Sequence, residues 1–227
     1  LDEVIRGLDI ILADDGVFIM ESPYTIDFLK KRFFDLVYHE HLSYWSVSPL
    51  ITLFKRFNME VFDVKKVDAH GGSIRTFVKR KKFHYDISNR VKEFLQKEKS
   101  AKLEKIDTYL NFAKRILENR LKLINLLTKL KHKGKRIVGY GAPAKGNTLL
   151  NYFKISEEFI DYIVDDSPFK QGLFTPGTHI PVVSLTRLKK DNPDYIIILA
   201  WNFAESIQKI LAWFKNRGKN FIIPVPE

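Results

Sequence analysis

The 227-residue chain contains no cysteine. A disulfide framework and a cysteine-ligated zinc site within it are thereby excluded. No apolar run approaches the roughly 20 residues needed to cross a bilayer. Charges at Asp2, Glu3 and Arg6 interrupt the first residues, so no signal-peptide pattern is visible, and a cytoplasmic location is expected. No internal repeat, low-complexity tract or recognisable nucleic-acid motif is evident. Against these absences stand 45% hydrophobic and 13% aromatic residues, enough for the core of one large domain or two small ones.

The first residue is Leu1 rather than Met, and Leu1 to Leu12 already has the spacing of an amphipathic helix. The chain is therefore expected to begin inside a fold, as the C-terminal part of a longer protein. The net charge is +11, yet residues 79–136 hold 19 Lys and Arg against 6 Asp and Glu. The excess thus lies in that segment. A basic strip can serve nucleic acid, but the simpler reading is the solvated face of a helix, and nucleic acid is not the expected partner.

The pattern along the chain predicts an α/β protein. A helix over Leu1–Ala13 ends at Asp14-Asp15-Gly16, and an apolar strand over Val17–Met20 stops at Glu21-Ser22-Pro23. After a long loop, Ser48 caps a second helix with Pro49 in its first turn. Met59–Val67 and Ser73–Val78 read as a hairpin turning at His70-Gly71-Gly72. This order matches the closing half of a methyltransferase-type sheet. Ile87 to Leu130 is expected to be helical, with apolar residues every three or four positions and room for one break, and is read as a connector. From Gly134 onward, strands at Arg136–Tyr140, Phe159–Val164, Tyr195–Ala200 and Phe221–Val225 alternate with helices at Ala144–Phe153 and Glu205–Phe214, implying a parallel sheet. The expected divisions are 1–80, 81–133 and 134–227.

Three places carry chemistry. Tyr38-His39-Glu40-His41, followed by Leu42-Ser43-Tyr44, packs two imidazoles, a carboxylate and two phenols into one short loop, behind the apolar Phe33, Phe34, Leu36 and Val37. Imidazole titrates near pH 6.5, which suits proton transfer. Acid–base catalysis, a metal held by His39, Glu40 and His41, and a hydrogen-bonded structural cluster all fit these residues. Gly139-Tyr140-Gly141-Ala142-Pro143-Ala144 follows a strand and opens a helix, as G-x-G-x-x-A does where backbone and helix N-terminus approach a phosphate. Lys145 adds a cation, and Asp165 or Asp166 stands where a ribose-binding acid would sit. A tight turn needing glycine only for packing is the alternative. The loop of Asp166–Gly172 and Thr175–His179 lies at the edge where open α/β sheets bind ligands, so Lys170 and His179 are candidate phosphate contacts or parts of an ordered surface loop.

Glu21-Ser22-Pro23-Tyr24, Tyr38 to Tyr44, His70-Gly71-Gly72-Ser73-Ile74-Arg75, Gly139 to Tyr152 and Asp166 to Pro181 together resemble the sugar C-methyltransferase family, which acts on nucleotide-linked keto-deoxysugars. Members resemble one another in having an N-terminal zinc domain, a central S-adenosylmethionine domain and a C-terminal Rossmann-like domain. The resemblance implies that residues 1–80 are the second half of the central domain, of class I methyltransferase type. The zinc domain and the cofactor's glycine-rich loop are missing from the sequence, so the S-adenosylmethionine site is expected to be incomplete, with its contacts elsewhere. No metal is expected. By resemblance, His41 is the base, Glu40 orients or polarises it, and Tyr38 donates a hydrogen bond to substrate. The nucleotide diphosphate would lie at Gly141–Asn147, with Lys170 and His179. Tyr24, His39, Tyr44, His70, Gly71, Gly72, Arg75, Gly141, Ala142, Pro143, Lys145 and Asn147 complete the implied substrate site. The competing readings are an NAD(P)-dependent oxidoreductase built on the glycine loop with Asp165, and a nucleic-acid module on the basic strip.

Overall fold

The computed structural model describes residues 1–225, apart from the side chain of His70. The chain divides into two compact units. Unit 1 holds residues 1–30 and 43–112, and unit 2 holds residues 31–42 and 113–227.

In unit 1, helix α1 (Asp2–Ile11) precedes strand β1 (Val17–Pro23), which runs three residues further than expected. The loop expected next contains helix α2 (Thr25–Lys31) and a 3-10 turn at Phe34–Leu36. Helix α3 (Val47–Lys55) leads to strands β2 (Met59–Val67) and β3 (Ser73–Arg80). The hairpin is present, and β3 lies between β1 and β2, antiparallel to both. Helix α4 (Asn89–Ser100) lays Val91 and Phe94 against the same core as Ile5, Leu50, Phe54, Val64 and Val78. Helix α5 (Ile106–His132) follows a break at residues 101–105, and the division between units falls within it, after Phe112.

Unit 2 is a Rossmann-like arrangement. Strand β4 (Ile137–Tyr140), helix α6 (Ala144–Phe153), strands β5 (Ile163–Val164) and β6 (Val182–Val183), helix α7 (Leu185–Lys190) and strand β7 (Tyr195–Ile198) follow in order. Helices α8 (Ala204–Ile210) and α9 (Ala212–Asn216) and strand β8 (Asn220–Ile222) close the unit. The five strands are all parallel in the order β6-β5-β4-β7-β8. Continuous apolar strands such as Tyr-Ile-Ile-Ile in β7 suit a parallel sheet covered on both faces. The mixed α/β class, with a Rossmann-like methyltransferase type of fold, agrees with expectation. The short β6 and helix α7 had no clear signal, and the single helix expected at Glu205–Phe214 is interrupted at Leu211.

One capping expectation is corrected. Ser46, not Ser48, occupies the N-cap of α3, and its hydroxyl makes no cap bond. Glu98 of α4 does that work, accepting the amide N–H groups of Val47 at 2.6 Å and Ser48 at 3.0 Å. A remote carboxylate thus satisfies donors that a local serine was expected to take.

The basic strip is partly neutralised by acids outside it. Lys79 meets Glu60, Arg80 meets Asp9 and Arg90 meets Asp63 in unit 1. Lys131 meets Asp161, Lys135 meets Asp194 and Arg136 meets both Asp161 and Asp191 in unit 2. These pairings weaken the nucleic-acid reading, because each paired cation is less available to a phosphate. Among the described residues, no helix is long and apolar enough to cross a membrane.

Candidate functional site

The Tyr38–His41 segment emerges from a deeply buried run. Phe33, Phe34, Asp35 and Leu36 are all buried, and Val37 returns to solvent. Tyr38 is half-buried and donates from its hydroxyl to the Glu40 carboxylate at 3.1 Å. Its ring lies 4.9 Å from that of His41 and 5.7 Å from that of His39. The His41 amide donates to the Tyr38 carbonyl at 3.0 Å, closing a tight turn. A phenol, a carboxylate and two imidazoles are therefore gathered within one turn that faces water. This arrangement can accept a proton and disperse the resulting charge.

The glycine loop has been drawn inward by its own protein. Gly141 donates its amide to Val164 at 2.7 Å, and Ala142 donates to Asp165 Oδ2 at 2.7 Å. Lys170 Nζ donates to the Ala142 carbonyl at 3.0 Å and pairs with Asp165 at 3.3 Å. Asp165 also accepts from the Ser167 amide, and Asp166 accepts from the Tyr140 hydroxyl. Burial and the neighbouring Asp166 push the Tyr140 phenol up to about 12, so it remains a donor. Both acids proposed for a ribose are thus engaged, which weakens the oxidoreductase reading. Pro143 stands at the N-cap of α6.

Gly141 has a φ of +84°, and a Cβ there would lie 2.7 Å from the Cβ of Ala200. Strain and overlap act together, so Gly141→Ala is expected to destabilise the protein by about 2 kcal/mol. Urea unfolding followed by tryptophan fluorescence reads this, and a loss below about 0.5 kcal/mol would contradict it.

The remaining candidates are dispersed. Tyr24 is buried in unit 1, where its hydroxyl donates to Glu98 at 3.2 Å and its ring lies 5.5 Å from that of Phe94. Desolvation raises its pKa far above that of a free phenol. Tyr44 lies against Phe28, and burial raises its pKa too. Gly71 and Gly72 both have positive φ, and the space a Gly72 Cβ would fill is taken by Asp27. Arg75 forms a cross-strand pair with Glu21 at 2.7 Å. The His70 side chain lies outside the described residues. In unit 2, Asn147 has a buried Oδ1 with no partner among the described residues. His179 is exposed at a φ of +52° in a turn pinned by the Thr175–Thr178 hydroxyl bond. Among the described residues, no group of three His, Asp or Glu side chains gathers to hold a metal.

Three buried residues were not singled out from the sequence. Glu98 lies on the buried stripe of α4, four residues after Phe94, a place where an acid needs a partner. Asp35 interrupts the apolar Phe33–Val37 run. Trp201 follows directly on the apolar strand end. Each carried a signal of the same kind, a polar atom at a position whose neighbours predict burial.

Comparison with known proteins adds two findings. Residues 68–226 match the family model described as the C-methyltransferase C-terminal domain. Over 227 residues the chain is 37% identical to a protein of Streptomyces niveus named C-methyltransferase NovU, a match that covers 100% of the chain and 54% of that protein. The chain spans about half the length of this curated relative.

Proposed function

The chain belongs to the C-methyltransferase family, and from that premise we propose that it is the substrate-holding part of an S-adenosylmethionine-dependent enzyme that methylates a carbon of a nucleotide-linked keto-deoxysugar. In this reading residues 1–80 are the closing half of the cofactor domain, residues 81–133 a connector and residues 134–227 the nucleotide-sugar domain. The enzyme works in the cytoplasm.

The observation that carries the reading is the gathering of Tyr38, Glu40 and His41 in one solvent-facing turn rooted in a buried run. A ketone makes the neighbouring C–H acidic. His41 removes that proton, Glu40 supports the imidazolium that results, and the Tyr38 hydroxyl, turning from Glu40 to the substrate, donates a hydrogen bond to the oxygen on which enolate charge develops. S-adenosylmethionine, when bound, supplies an electrophilic methyl group. Unit 1 has no glycine-rich loop between strand and helix among its described residues, since β1 passes through Tyr24 directly into α2. The residues of unit 1 therefore do not by themselves fit that cofactor.

The anionic diphosphate is assigned to the start of α6 and the facing loop. The Gly141 and Ala142 amides already serve Val164 and Asp165. Phosphate recognition therefore falls to the amides of the first turn of α6 and to Lys170 and His179, whereas the Lys145 ammonium is buried over the Trp201 ring. Asn147 has an acceptor to offer a sugar or base.

Calorimetric titration with deoxythymidine diphosphate and, separately, S-adenosylhomocysteine tests this. Binding of the first with a dissociation constant below about 1 mM, without binding of the second, is the expected result. No binding of the diphosphate at millimolar levels would overturn the substrate assignment.

A further inference from the structure

The proposed mechanism makes no use of Asp35, although it is a titratable side chain with 0% exposure. Its Oδ2 accepts the indole N–H of Trp201, and its Oδ1 has no partner among the described residues. Lys145 of α6, itself only 9% exposed, places its ammonium 5.0 Å from the centre of the Trp201 ring and likewise has no hydrogen-bond partner among the described residues. Phe33 stacks on the other part of the arrangement, 4.4 Å from Trp201 with ring planes 21° apart. Phe34 stacks on Phe153, at the far end of α6, 4.8 Å away and 17° from parallel. All of these residues lie in unit 2.

A chain segment held by apolar side chains alone resists a shift of register only through misfit of volume at each overpacked position. A buried carboxylate adds to that resistance. Any shift of register would take Asp35 away from the Trp201 N–H and the Lys145 charge and into a pocket shaped for phenylalanine or leucine. The Lys145 ammonium over the indole face strengthens the arrangement, since a cation there leaves the ring N–H a better donor to a carboxylate. Val37 is the first residue after this anchor to face water, and the Tyr38–His41 turn follows directly.

We propose that Asp35 is a positioning residue: with Trp201 and Lys145 it pins the register of the Phe33–Leu36 run against α6, and so fixes where the Tyr38–His41 turn emerges on unit 2. The inference rests on the reading of His41 as the base for its catalytic consequence, but not for its structural claim. Burial pushes the Asp35 carboxyl up to about 6, while the Trp201 hydrogen bond and the Lys145 charge pull it down. Burial also lowers the pKa of Lys145, opposed by Asp35.

The test compares Asp35→Ala and Asp35→Asn in the full chain. Amide hydrogen exchange is followed by NMR at residues 37–41 and, as a reference, in β4 and β7. Asparagine still offers an oxygen to Trp201, whereas alanine offers nothing. Asp35→Ala is expected to speed exchange at residues 37–41 by about 10-fold or more while β4 and β7 change by less than about twofold. Asp35→Asn is expected to restore most of the protection. In the same samples, exchange of the acidic proton of dTDP-4-keto-6-deoxyglucose into D2O should fall by about 10-fold in Asp35→Ala, with the affinity for deoxythymidine diphosphate unchanged. If residues 37–41 keep their protection in Asp35→Ala, or if β4 and β7 loosen equally, the proposal is overturned. If the unsubstituted protein exchanges no sugar proton, the reading of His41 fails instead, and the amide data still decide the positioning claim.

Discussion

Replacing His41 with glutamine is expected to slow exchange of the sugar's acidic proton by about 10²–10⁴-fold, the range over which a positioned base contributes. Glutamine preserves much of the imidazole's size and polarity but cannot take up a proton at neutral pH. His41 is half-buried and its ring contacts that of Tyr38, so the substitution should leave the fold intact. The measurement is loss of the proton signal beside the ketone of dTDP-4-keto-6-deoxyglucose in D2O, with no methyl donor added. Omitting the donor isolates proton removal from methyl transfer. A variant that exchanges within about threefold of the unsubstituted protein would reassign the base, and His39 in the same turn would be the next candidate. Tyr38→Phe is a useful partner, since it removes only the hydroxyl that donates to Glu40.

The second large effect is on stability. Glu98→Ala is expected to destabilise unit 1 by about 3–5 kcal/mol at pH 5, because it strands the Val47 and Ser48 amides and the Tyr24 hydroxyl together. Burial raises the Glu98 pKa above the ordinary carboxylate value of 4.5, with its three hydrogen bonds opposing. The folded protein thus holds a proton on Glu98 more tightly than the unfolded chain does. That contribution to stability is fully present below about pH 4.5 and is lost as pH rises through the raised value. The deficit of Glu98→Ala relative to the unsubstituted protein should therefore shrink between pH 5 and pH 8. Urea unfolding at both pH values reads this, and a loss below about 1 kcal/mol at pH 5 would show that water replaces the carboxylate. Tyr24→Phe, which removes a single donor, should cost about 1 kcal/mol.

The two predictions also separate what local pattern reveals from what it hides. The candidate turn was legible because Tyr38, His39, Glu40 and His41 are adjacent in sequence, and no folding is needed to bring them together. The hairpin of β2 and β3 was legible for the same reason, with its turn at residues 68–72. Glu98 and Val47 are separated by 51 residues and Trp201 and Asp35 by 166, so neither pair has any spacing to detect. The glycine loop shows the limit of a motif. Its sequence fits phosphate binding, but Asp165, 23 residues after Ala142, turns back to take the Ala142 amide.

Composition and periodicity by themselves determined the α/β class, the absence of disulfides, most strands and helices and the clustering of Tyr38, His39, Glu40 and His41, because each depends on residues a few positions apart. Only the tertiary structure decided which unit that turn belongs to. Residues 31–42 lie between two stretches of unit 1, yet they count with unit 2, because Phe33, Phe34 and Asp35 find Trp201, Phe153 and Lys145 there. Local propensity favours a turn at this point in either unit. The choice rests on two aromatic stacks and one buried carboxylate, and those partners exist only once the chain has folded.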